Sequence, residues 1–410
     1  MFFAAFPRNL SRSSRQIAQR CFTSSLREPP EKPQSFVANT RAKSLITRRF
    51  TALSLNLGYR ESEILTDLKE RPNITVYSLG GTIASTKSDA STGGVTPQLG
   101  AADLIGVIPE LVDVAEVTAV TFRQIPSGDL TFADLVSLAR AIEQSFDSGA
   151  DGVVVTQGTD TLEETAFALD LLIRRAQPVV VTGAMRNSTV ASPDGSANVL
   201  GSVQVAASRE ARGLGTLVVF GDEIHAARFI RKTHTSSLAT FRSPSCGPLG
   251  WLSEDRVRIA VRVAPLAKVG HVPDGETPAV ALIKCSLGDD ARVLDQLTSL
   301  GYAGVVVEGF GGGHVPARLV SSLETLAARM PVVLASRTGS GELLNATYGF
   351  PGSERDLLSR GLISAGVLDG PKARVLLSYL LSIDREPTHT QTVFERVVAS
   401  MSSSETLPPA

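Results

Sequence analysis

The chain carries short, uninterrupted apolar runs separated by longer stretches in which apolar positions recur at helical spacing. Ile74–Leu79 (ITVYSL), Asp151–Thr156 (DGVVVT), Pro178–Gly183 (PVVVTG) and Leu214–Gly221 (LGTLVVFG) read as strands. Continuous Val/Leu runs, rather than strict alternation, predict strands covered on both faces, as in a parallel sheet. Between them, Phe132–Phe146 puts Leu135, Leu138, Ala139 and Ile142 on one helical face, and a second helix is predicted over Leu162–Arg175. Strand–helix–strand order makes the sheet mostly parallel. The pattern thins over 265–278, where Val269–Gly275 has linker composition, and then restarts. Ala279–Cys285, Gly304–Gly313 and Pro331–Gly341 supply strands, with helices expected near Ala291–Leu300 and Val315–Ala328. The expected architecture is two-domain α/β: an extension over 1–72, a larger domain over 73–264, a linker, a smaller domain over 279–397 and a disordered tail over 398–410.

Composition mainly removes alternatives. A formal net charge of −1 gives no general attraction to nucleic acid or an anionic membrane. No apolar run reaches the ~18–20 residues of a membrane span. Cys21, Cys246 and Cys285 are scattered without metal or redox spacing, and buried structural thiols are the expectation for Cys246 and Cys285. His225 and His234 have no accompanying metal-ligand pattern, so neither metal nor cofactor is expected. The leader does change the picture. Arg8, Arg12, Arg15, Arg20 and Arg27 occur among serines before the first acidic residue, Glu28. Arg-rich, Ser-rich and acid-poor is the composition of a mitochondrial transit peptide, with a basic cytoplasmic tail as the alternative.

Chemistry is expected beyond the carboxyl ends of the parallel strands. Two strand ends share one arrangement, an apolar run, glycine, then threonine: Leu79-Gly80-Gly81-Thr82 and Thr156-Gln157-Gly158-Thr159-Asp160. Glycine permits a sharp turn and close ligand approach, and the threonine then exposes a hydroxyl. The plainer reading is a turn with a helix N-cap, and Thr159–Glu164 does carry capping residues. Phosphate cradling by Gly80-Gly81 or Gly311–Gly313 lacks a completed nucleotide motif. A hydroxyl nucleophile needs a base. Lys232, beside a carboxylate such as Asp160, could serve, or could be a solvated surface group.

Five segments, Ser78–Ser85 (SLGGTIAS), Val155–Ala166 (VTQGTDTLEETA), Val181–Arg186 (VTGAMR), Ser192–Asn198 (SPDGSAN) and Lys232–Gly250 (KTHTSSLATFRSPSCGPLG), together resemble bacterial-type L-asparaginases in order and spacing. The resemblance runs from about Asn73 to the final helix. It implies a larger flavodoxin-like N-terminal domain, a smaller C-terminal α/β domain and a homotetramer whose sites are completed by a neighbour. It implies hydrolysis of L-asparagine, with L-glutamine as a further substrate. Thr82 matches the family's nucleophile, and Thr159, Lys232 and Asp160 match a second Thr–Lys–Asp group. Ser127 matches the serine that holds the substrate α-carboxylate, Asp160 matches the acid that pairs with its ammonium, and Glu342 matches the glutamate that a neighbouring subunit turns toward the same ammonium. Gly81, Gly128 and Gly158 lie in the same substrate-binding loops.

Three positions depart from the family's pattern. Gly128 stands where Gln or Glu is common, Ile83–Gln98 contains no lid tyrosine, and His314 stands in place of an asparagine. The activator of Thr82 is therefore open between Lys232 and a water-linked route. Gly93 and Gly94 still suit a closing loop. Two other readings compete: the amidase component of a tRNA-dependent amidotransferase, and a non-enzymatic ligand-binding relative. The first carries an added N-terminal β-rich domain that the basic, irregular 1–72 segment does not resemble.

Overall fold

A computed structural model describes residues 71–87 and 95–402 of the chain. The leader, the rest of the extension up to residue 70, Gly93 and Gly94 lie outside the described residues.

The uninterrupted apolar runs form the centre of an eight-stranded sheet. Its strands are β1 (Asn73–Ser78), β2 (Glu116–Thr121), β3 (Gly152–Thr156), β4 (Val179–Thr182), β5 (Thr216–Phe220), β6 (Glu223–Ala226), β7 (Gly250–Ser253) and β8 (Arg256–Ile259). The order is β2-β1-β3-β4-β5-β6-β7-β8. The first five are parallel, and every residue of β3, β4 and β5 is buried, as their continuous apolar character requires. From β5 onward the pairing is antiparallel. Two tight turns make that change: Gly221-Asp222 (φ 56° and 64°) and Glu254-Asp255 (φ 50° and 61°), each joining strands across two residues in left-handed conformation.

The chain leaves β1 for β2 on one side and returns to β3 on the other. The sheet therefore reverses direction at β1, the place where open parallel sheets bind ligands. The strands end level there, with Ser78 opposite both Thr121 and Thr156, and Thr156 opposite Thr182.

Helices α1 (Phe132–Asp147) and α2 (Leu162–Leu172) cover one face of this sheet, and α3 (Gly195–Ala207) covers the other. Thr131 caps α1 in a reciprocal box with Asp134, fixing where that helix begins. The expected extension of α2 to Arg175 does not occur. Glu143 accepts from the Arg174 peptide N–H (2.9 Å) and pairs with Arg175 (2.6 Å), which draws the chain out of the helix after Leu172.

The C-terminal half is a four-stranded parallel sheet: β9 (Val280–Lys284), β10 (Gly304–Gly309), β11 (Val332–Ser336) and β12 (Ile363–Ser364). Helix α4 (Val320–Ala327) packs on one face, and α5 (Gly370–Ile383) and α6 (Pro387–Ser402) lie on the other. Leu135, Phe167 and Leu171 of α1 and α2 share a core with Val375, Leu376 and Tyr379 of α5 and Phe394 of α6. Burial of that apolar area, at about 25 cal/mol per Å², joins the halves.

Three expectations need correction. The helix expected near 291–300 is a single 3-10 turn, Leu294–Gln296, because only Leu294 and Leu297 are buried while Val293 and Leu300 face solvent. The tail does not begin at 398: α6 continues to Ser402, with Val397 and Met401 in the shared core. Of the two cysteines expected to be buried, Cys285 is and Cys246 is exposed.

Candidate active site

Beyond the level ends of β1 and β3, three loops converge. Gly80 and Gly81 both adopt positive φ (98° and 79°), so the chain turns sharply and delivers Thr82 to the first position of a 3-10 turn, Thr82–Ala84. A Cβ on Gly81 would fall 2.1 Å from the Gly158 nitrogen, and one on Gly158 would fall 2.8 Å from Ser127 Oγ. The contact between Gly81 and Gly158 is thus backbone to backbone, and Thr82 and Thr159 each follow one member of it.

Ser127 opens its own 3-10 turn, Ser127–Asp129, and is 4% exposed. Its carbonyl accepts from Thr161 Oγ1 at 2.9 Å, tying this loop to the one after β3. Its hydroxyl is buried with no hydrogen-bond partner among the described residues. A buried hydroxyl left without a partner costs about 1–3 kcal/mol, so this atom is available to a ligand. The peptide N–H groups of Thr159 and Asp160 likewise have no acceptor among the described residues. They stand at the entrance to α2, where free N–H groups and the helix dipole favour an anion.

Thr159 is buried, and its hydroxyl accepts from Lys232 Nζ at 2.9 Å. The same ammonium donates to Asp160 Oδ1 at 2.6 Å. An ammonium offers donors only, so the Thr159 proton is left free to point at water or substrate. The two ends of the Lys232–Asp160 pair differ in exposure: 17% for the lysine side chain and 80% for the carboxylate. Asp160 is therefore an open carboxylate, and it can meet a second cation.

Lys232 belongs to a two-residue strand, Arg231–Lys232, paired with Phe241–Arg242. Its peptide N–H donates to Glu163 Oε2 at 2.6 Å. Glu163 lies in the first turn of α2, and burial pushes its carboxyl above the usual range, against the opposing pull of Lys372. Burial and the neighbouring Glu163 also push Glu164 up. Lys372 donates to Ile230 O at 2.7 Å and to Asp369 Oδ2 at 2.8 Å. Burial raises the Asp369 carboxyl, but Lys372 and Arg231 outweigh it and hold the group below its ordinary value. Sequence reasoning missed Glu163, Asp369 and Lys372 as neighbours of the site.

The family model described as "Asparaginase, N-terminal" matches residues 73–264, and "Glutaminase/Asparaginase C-terminal domain" matches 279–394. The chain belongs to the asparaginase family. It is an enzyme, an amidohydrolase. An L-asparaginase of Bacillus licheniformis is 35% identical over 76% of this chain and 96% of its own length. One component of the glutamyl-tRNA(Gln) amidotransferase of Methanosarcina barkeri is 34% identical over 72% of this chain and 70% of its own. The crystal structure of a probable cytoplasmic L-asparaginase from Campylobacter jejuni superposes with a TM-score of 0.71 at 32% identity, covering 80% of this chain and all of that one.

Against that asparaginase frame, Gly81, Thr82, Ser127, Gly158, Thr159, Asp160 and Lys232 meet around one sheet reversal. Gly128 borders open space: a Cβ there would meet nothing within 4 Å. Glu342 is exposed and makes no hydrogen bond or ion pair with any of these residues; the amide of its neighbour Gly341 donates to Ser245 Oγ at 3.1 Å. His314 is held by Glu354 (3.1 Å) and stacked edge-on against Tyr348 and Phe350.

Proposed function

We propose that the enzyme hydrolyses L-asparagine to L-aspartate and ammonia, with Thr82 as nucleophile. The carrying observation is the pair of Lys232 hydrogen bonds to Thr159 and Asp160, set against the Gly81–Gly158 contact that precedes Thr82. Thr82 Oγ attacks the side-chain amide carbon, its proton passes to the departing nitrogen, and ammonia leaves an ester on Thr82. Water, oriented by the Thr159 hydroxyl that Lys232 holds, then attacks the ester; one of its protons returns to Thr82 Oγ, and the new aspartyl carboxyl loses the other to solvent as it leaves. Ser127 Oγ and the free N–H groups at the α2 entrance receive the substrate α-carboxylate, and exposed Asp160 receives its ammonium. Supporting the substrate choice, the L-asparaginase relative is matched over nearly its whole length and the amidotransferase component over only 70% of its own. The direct test is ammonia release from L-asparagine and L-glutamine by the purified protein; folded protein that released none from either would sink the reading.

Gly128 bears on selectivity. Its surroundings have room for a longer side chain, and Gly128→Gln would supply a further amino-group partner. We expect this substitution to lower KM for asparagine by about three- to tenfold, the scale of one added, solvent-accessible hydrogen bond. An unchanged KM in steady-state assays would show that the ammonium is not held on that side.

A homotetramer with shared sites is also proposed. The exposed apolar side chains Leu344, Tyr348 and Phe350, close in sequence to exposed Glu342, support a covered surface there. Sedimentation of the purified protein tests it. For location, the arginine-rich leader supports import into mitochondria; microscopy with and without residues 1–27 tests that.

A further inference from the structure

Three consecutive residues of the segment that carries Lys232 are each gripped by a charged group, and the grips come from both halves of the chain. Lys372 Nζ donates to the Ile230 carbonyl at 2.7 Å. Asp369 Oδ2 lies 3.4 Å from Arg231 Nε. Glu163 Oε2 accepts from the Lys232 peptide N–H at 2.6 Å. Lys372 is 1% exposed and also pairs with Asp369, which caps α5. A buried ion cluster of this kind is a weak source of stability, since desolvation offsets most of the attraction and apolar replacements are often as stable. Fixing a geometry is the better account of it.

Lys232 reaches its partners through a four-carbon stem with many rotamers, and the two oxygens it meets belong to consecutive residues, Thr159 and Asp160. Glu163 lies three residues beyond Asp160, at the start of α2, and it touches the Lys232 backbone rather than its ammonium. One carboxylate therefore ties the loop that presents the oxygens to the strand that presents the nitrogen. We infer that Glu163, backed by the Asp369–Lys372 pair, is a positioning residue that sets the Lys232 backbone so that Nζ meets Thr159 and Asp160 together. This rests on the proposed role of Lys232 in turnover.

A double-mutant cycle on the full-length enzyme tests it. Glu163→Asp keeps the charge but withdraws the carboxylate by one methylene, while Glu163→Gln keeps both the reach and an acceptor oxygen. Glu163→Asp is expected to lower kcat for asparagine by about 10- to 100-fold, the effect of a misplacement near 1 Å, with KM within about threefold. Glu163→Gln should stay within about threefold of wild type in kcat. In a Lys232→Met background, Glu163→Asp should change kcat no further. Equal losses from Glu163→Asp in both backgrounds, or a Gln variant as impaired as the Asp variant, would overturn the proposal. If Lys232→Met alone leaves kcat unchanged, it is the assignment of Lys232 that fails, and the positioning role with it. Should Glu163→Asp not fold, Asp369→Asn carries the same cycle, because asparagine caps a helix as well as aspartate does. Its loss of about three- to tenfold in kcat should likewise appear only when Lys232 is present; the same loss without Lys232, or none with it, would contradict the proposal.

Discussion

Replacing Thr82 with alanine is expected to lower ammonia release from asparagine by at least about 10⁴-fold, on the scale of removing the nucleophile from a coupled catalytic unit. Its value as a test lies in how little else the residue does. The Thr82 hydroxyl makes no hydrogen bond with any described residue, and the turn around it is held by Ser85 Oγ on the Gly81 carbonyl (2.8 Å) and by the Ala84 amide on the same atom (3.0 Å). The thermal midpoint of Thr82→Ala should therefore stay within a few degrees of wild type, and the lost activity cannot be blamed on unfolding. Thr82→Ser keeps the hydroxyl and should retain measurable turnover. A Thr82→Ala enzyme with more than about a tenth of wild-type kcat would remove the nucleophile from the account.

The second large effect belongs to the neighbouring group. Thr159→Val and Lys232→Met are each expected to cost about 10³-fold in kcat, and the double variant little more than either alone. Non-additivity follows from the geometry: one ammonium serves both oxygens, at 2.9 and 2.6 Å, so removing either end dismantles the same unit. Methionine keeps most of the lysine stem's volume, and Asp160, already mostly in solvent, tolerates losing its partner. Single-turnover assays that separate ammonia release from aspartate release would show where the loss falls. A group that activates water slows the second step and lets the acyl-enzyme build up; a group that activates Thr82 slows the first. In the absence of a tyrosine over 83–98, that comparison also decides how Thr82 is activated.

Much of this site was legible in the sequence because its signals are local. The apolar runs ending in Gly-Gly-Thr and Gly-Thr-Asp announced both strand ends, and β1 and β3 do flank the reversal of the sheet. What escaped notice depends on contacts far apart along the chain. Ser127 read alone is a turn serine; only the fold shows its hydroxyl buried without a partner beside Gly158. Glu163 resembled capping chemistry, and Asp369 and Lys372 belong to another domain, so no spacing rule gathers them under Lys232. The antiparallel edge was missed although its turns, Gly221-Asp222 and Glu254-Asp255, are the two-residue kind that joins hairpins. The helix expected over 291–300 fails for the opposite reason: its apolar positions are real, but half of them face solvent.

The central claim is that Thr82 takes the acyl group from asparagine, and it can be read directly. Lys232→Met enzyme mixed with L-asparagine, quenched in acid within one turnover and digested, should yield the peptide containing Thr82 heavier by one aspartyl group, with none in Thr82→Ala. An aspartyl adduct on the peptide containing Thr159 instead, or a burst of ammonia matching the enzyme present with no adduct on either threonine, would contradict it.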